Sequence, residues 1–89
     1  MLILDGFNDA LIGYAQGLEG VNFVIYDTGK CIKILKEDFE KEMRIQEPEK
    51  TEDEIEEETN IMAIEYFYYN TAGAYVGERT PGFATLFSE

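Results

Sequence analysis

The sequence predicts an α+β domain, and three observations carry that expectation. Two short apolar runs, residues 10–15 and 21–26, flank a connection containing Gly17 and Gly20, as paired strands do. Apolar residues then recur at helical spacing through Cys31, Ile34, Leu35 and Phe39. A second helical segment opens at Thr51, where Glu54 three residues on completes a capping-box pattern. At 89 residues the chain has room for one domain, close to the lower limit at which a single core holds without staples. The expected architecture is a two- or three-stranded antiparallel sheet packed against two helices in a single small domain. Its expected divisions are a hairpin region at 1–27, helix one at 28–44, a link at 45–50, helix two at 51–74 and a candidate last strand at 80–87.

Residues 1–4 form either a further short strand or a tether. In the second apolar run Phe23 and Ile25 fall on one face and Val24 and Tyr26 on the other, so that strand is expected to be central or covered. Asp27 and Thr28 can cap the first helix by accepting from its free amides. Charged residues between its apolar positions give the amphipathic pattern of a helix on a sheet. Lys30 and Lys33 lie toward its start, against the helix dipole. Pro48 disfavours helical geometry at Glu47 and separates the helices. In helix two, Ile55, Met62, Tyr66 and Tyr69 share one stripe and Ala63, Phe67, Asn70 and Ala74 its neighbour. Gly73 or Gly77 can end that helix. The expected core is Phe23, Ile25, Ile34, Leu35, Met62, Tyr66 and Phe67.

Apolar residues make up 45% of the chain, with six Tyr and six Phe, which is core-forming material enough to fold despite the charge. Nineteen acidic against seven basic side chains give a net charge of −12. Residues 37–58 carry twelve acidic and three basic side chains, a local charge of −9, so three quarters of the net charge lies there. Such a field repels phosphate backbones and anionic lipid, disfavours direct nucleic-acid or membrane binding, and favours a basic partner. The bland alternative is that the charge only confers solubility.

Histidine is absent and Cys31 is the only cysteine, which removes Cys/His zinc sites, imidazole bases, nucleophile pairs with histidine, and any internal disulfide. A lone cysteine suits a reducing cytoplasm, and the opening residues lack the basic region of a secretion signal. No apolar stretch approaches the roughly 18 residues needed to cross a bilayer. A carboxylate-only site for a hard cation remains as an alternative, with Asp5, Asp9, Asp27 and Glu65 as candidate ligands. Capping by Asp27 and a solvated helix face at Glu65 are the simpler accounts, and no cofactor is expected. The aromatic run at Tyr66, Phe67, Tyr68 and Tyr69 has no basic residues around it for stacking on bases, so it reads as core.

Three pieces carry a family resemblance: DGFNDALIG at 5–13, VIYD at 24–27 followed by CIKIL, and EYFYYNTAGAYVGERTPGF at 65–83. Together they resemble small, largely uncharacterised proteins of tailed bacteriophages, with an acidic DGF opening, a YD-capped helix and a closing Val-Gly-Glu and Thr-Pro pattern. The resemblance covers about two thirds of the chain. It implies a phage origin and the host cytoplasm as setting, and supplies no activity. The chain departs from the pattern at 40–60, which is longer and more acidic than the family's link and is either a special function or a tolerated extension.

These readings converge on a non-enzymatic interaction protein that binds and inhibits a basic host protein, as a charge mimic of DNA. The expected contact residues are Glu49, Glu52, Asp53, Glu56, Glu57, Tyr75 and Glu78. The alternatives are a small assembly protein that self-associates into a homo-oligomer through exposed aromatics such as Tyr14, Tyr68 and Tyr75, and the carboxylate metal enzyme.

Overall fold

A computed structural model describes residues 4–17, 20, 22–72 and 81–87. Expectations for the start of the chain before Leu4, the helix end at Gly73 or Gly77, and the contacts of Tyr75 and Glu78 lie outside the described residues.

The chain folds as an α+β unit of three strands and two helices. A turn at Asp5 and Gly6, the latter at φ 85°, leads into a single 3-10 turn at Asn8–Ala10. Strand β1 (Leu11–Gln16) then pairs antiparallel with β2 (Asn22–Asp27), the expected hairpin. Their register slips between Leu11 and Gly13, and beyond this bulge Tyr14, Ala15 and Gln16 lie opposite Val24, Phe23 and Asn22. Strand β2 is central, and both its faces are covered at least in part. Val24 and Tyr26 are buried, while Phe23 and Ile25 are half-buried.

Helix α1 (Thr28–Gln46) begins without a linker, because Asp27 is both the last residue of β2 and the helix cap. Its Oδ1 accepts from the Lys30 amide at 3.1 Å. The carboxylate also puts negative charge where the first turn otherwise offers only Lys30. The helix runs two residues beyond the expected 44 and ends where the Glu47 amide donates to the Met43 carbonyl, immediately before Pro48. A turn closed by the Lys50 amide donating to the Glu47 carbonyl reverses the chain. Helix α2 (Glu52–Tyr66) opens with the expected capping box: Thr51 accepts from the Glu54 amide and Glu54 accepts from the Thr51 amide. The five-residue link makes α1 and α2 an antiparallel helical hairpin.

Beyond Tyr66 the helix continues as a π-helix over Phe67–Ala72, whose wider turn buries Phe67 and Thr71 and turns Tyr68 and Tyr69 outward. Strand β3 (Gly82–Ala84) then joins β2. A Cβ at position 82 would stand 3.0 Å from the half-buried Phe23 ring, a tight contact that the ring would have to shift to relieve. The pairing of β3 with β2 is parallel, which corrects the expectation of an all-antiparallel sheet. The reason is topological. Antiparallel neighbours need only a tight turn, whereas the connection from β2 to β3 contains two antiparallel helices, long enough for the crossover that parallel strands require.

The main core gathers Leu4, Ala10, Val24, Tyr26, Cys31 and Phe67, with Phe7, Ile32, Ile34, Leu35, Ala72 and Phe83 packed around it. Every α1 residue in this cluster comes from the helix's first turns. The rest of α1 packs on α2 around Met43, Ile55, Thr59 and Ala63. At 1.5 Å per residue α1 is about 28 Å long, against about 20 Å for a six-residue strand, so the hairpin outruns the sheet.

Candidate interaction surface

The outer part of the hairpin holds most of the acidic segment, and three basic side chains organise it. Lys36 pairs with Glu40 at 3.9 Å on its own helix and with Glu56 at 2.5 Å on the other. Arg44 reaches Glu40 at 3.3 Å and Glu52 at 2.9 Å. Lys50 pairs with Glu47 at 3.4 Å and with Glu58. Each cation thus ties one carboxylate before the turn to one on α2. The electrostatics follow the contacts. Hydrogen bonding and charge from Glu52 raise the Arg44 guanidinium, and the same contact holds the Glu52 carboxyl below its usual range. Glu54 is also lowered, first by the Thr51 amide it accepts from. Lys50 is raised by its hydrogen bond to Glu58.

This arrangement divides the sequence-predicted contact residues into two groups. Glu52 and Glu56 are engaged by the protein's own Arg44 and Lys36. Glu49, Asp53 and Glu57 are exposed and make no ion pair among the described residues. Asp53 and Glu57 stand one helical turn apart on α2, with Ile61 a further turn on. Tyr75 and Glu78 cannot be placed relative to them, being outside the described residues.

Ile61 begins an apolar surface that sequence reasoning assigned differently. Met62 and Tyr66, expected in the core, are 39% and 44% exposed, and Tyr69 from the same stripe is 80% exposed. The seam is made instead by Ile55, Thr59, Ala63 and Phe67, all buried and spaced by four residues. Small residues at the centre of this series let the helix backbones approach, and the bulkier Met62 and Tyr66 are left to flank the seam. Tyr66 packs edge-on against Phe39, with ring centroids 5.7 Å apart. The threonine hydroxyl in the seam is satisfied by donating to the Ile55 carbonyl at 2.6 Å, so it costs the packing little. That hydroxyl disguised the series, because periodicity counted on apolar residues alone passes over Thr59. Ile64 and Tyr68 complete an outward face beyond Ile61. Depressions of about 440 and 350 Å³ share Met62 in their lining; the first also holds Glu47, Lys50 and Glu58, and the second Glu65 beside Phe39, Tyr66 and Tyr69.

Asp5, Asp9, Asp27 and Glu65 do not converge, and no group of three potential metal-ligating side chains is found among the described residues. Asp27 is occupied as a cap. Cys31 is fully buried, and burial, aided by the charge of Asp27, pushes its thiol up to about 11, so it is neither exposed nor ionised at neutral pH. No described helix is long and apolar enough to cross a membrane. No protein-family model matches the chain, and neither the curated proteins nor the solved structures contain a significant match to it.

Proposed function

We propose that this protein is a non-enzymatic binding module that engages a basic partner protein through the tip and outer face of the helical hairpin. The observation that carries the reading is a set of exposed carboxylates, Glu49 in the turn and Asp53 and Glu57 on α2, which the protein's own cations leave unpaired among the described residues; the two on α2 lead along the helix to exposed Ile61. Unpaired carboxylates held at the hairpin tip and along α2 can meet lysines and arginines that otherwise meet phosphate, and Ile61 adds an apolar anchor on the same helix. The phage resemblance makes a host protein the natural partner and the host cytoplasm the natural place, with inhibition by occupying a phosphate-binding groove as the mode of action.

The test is capture of host proteins from lysate by the immobilised chain, followed by elution in stepped salt. A partner held by these carboxylates elutes at lower salt from the Glu49→Gln, Asp53→Asn, Glu57→Gln variant, with a flatter dependence on ionic strength. The Glu52→Gln, Glu56→Gln pair serves as the comparison, because those carboxylates are already engaged internally. Elution of the same partner at unchanged salt from the triple variant sinks the proposal.

A further inference from the structure

We propose that two copies of this chain associate edge to edge through β1, joining two three-stranded sheets into one of six strands. Strand β1 lies at the sheet edge, and β2 is its only strand neighbour among the described residues. Half of its backbone donors and acceptors therefore face outward, a ready template for another strand. Natural edges are blocked by charge, proline or shortness. The other edge, β3, is three residues long, whereas β1 is six residues with neither charge nor proline. Its side chains are also uncovered, with Leu11 and Ile12 each 41% and Tyr14 68% exposed. The bulge is confined to the start of the strand and leaves Tyr14, Ala15 and Gln16 in regular register.

Self-complementarity makes a second copy the occupant, and electrostatics limits where it can meet the first. Two chains of −12 repel, so they can meet only where charge is sparse. Residues 10–26 contain one charged side chain, Glu19, out of 26 in the chain. The exposed aromatics at the end of α2 are less suited, since Glu65 stands among them, a second copy would bring the same carboxylate, and a helix offers no free backbone edge to pair. An edge strand is also its own complement: two identical strands pair antiparallel about a twofold axis without any further adaptation.

Sedimentation equilibrium of the full chain tests this, with a salt response opposite in sign to that of the basic-partner contact. Between about 0.05 M and about 0.5 M salt the dimer is expected to tighten roughly threefold or more as repulsion is screened. Tyr14→Glu, which sets like charges near the twofold axis, weakens dimerisation at least about tenfold. Tyr69→Glu, on the π-helix beyond α2, leaves it unchanged. Amide exchange of the unsubstituted chain supplies a readout independent of any variant, with slower exchange at residues 14–16 as concentration rises. A chain that stays monomeric at high salt, a dimer loosened by salt, or a dimer lost on Tyr69→Glu but kept on Tyr14→Glu would each overturn the proposal. Protection of β1 that arises only when a different protein is added would overturn it too.

Discussion

Tyr26 shows how one side chain can join four parts of a small fold. Fully buried, its hydroxyl accepts from the Leu4 amide at 2.8 Å, fixing the start of the described chain to the central strand. Its ring packs against Phe83 of β3, and Phe83 in turn meets Phe67 of the π-helix edge-on at 5.1 Å. Tyr26→Phe keeps the ring and strands a buried amide, which is expected to lower unfolding free energy by about 1–3 kcal/mol in denaturant titration. Phe67→Ala removes the ring that links helix and sheet and should cost about 3–5 kcal/mol. Cys31 gives a pH signature. Its folded value of about 11 lies above the ordinary 9.0, so the unfolded chain gives up the thiol proton first. The corresponding stability is fully present below pH 9.0 and is lost as pH rises toward about 11. Denaturation midpoints measured across that interval should fall less steeply for Cys31→Ala than for the unsubstituted chain.

At the scale of elements the hairpin is the part whose stability is most separable. Its distal half rests on its own seam and on exposed ion pairs, each of which contributes little in water. Ile55→Ala opens that seam, and a loss of about 2–5 kcal/mol is expected in hairpin-specific amide exchange. Thr51→Ala removes the cap of α2 and should cost about 1 kcal/mol by the same measurement. Glu52 and Glu54 set the acid limb. Both are held below the ordinary 4.5, by Arg44 and by Thr51 respectively, so their stabilisation is present above that value and fades as pH falls below it. Exchange of the α2 amides should accelerate in that window, and less so in an Arg44→Gln variant, which has already lost one of the two interactions.

Across the whole molecule, shape and charge belong together. The radius of gyration is 15.3 Å, where a compact chain of this length would measure about 12 Å, and the long dimension is 54 Å. Extension separates the −9 segment from the nearly uncharged β1–β2 region, which lowers self-repulsion within the core and leaves two surfaces of opposite character. Net charge of −12 nonetheless works against the folded state. Added neutral salt should therefore raise the melting temperature by a few degrees, by roughly 1 kcal/mol of screened repulsion, in thermal scans at fixed protein concentration.

The features legible in the residues alone are those whose physics is local. Asp27 and the pair Thr51 and Glu54 cap helices because their partners are three residues away, and Pro48 separates two helices because its ring acts on its immediate neighbours. The β1–β2 hairpin was legible for the same reason, and so was the concentration of charge between 37 and 58. Which of several amphipathic solutions is realised depends on long-range packing. Thr59 and Ala63, rather than Met62 and Tyr66, line the helix seam, because packing two helices together favours small side chains over bulky ones. The direction of β3 depended on the path of two intervening helices, which no window of residues encodes. Which carboxylates stay unpaired was likewise beyond the sequence, because Glu52 and Glu57 differ little as residues in an acidic run. What separates them is that α1 brings Arg44 to within 2.9 Å of Glu52.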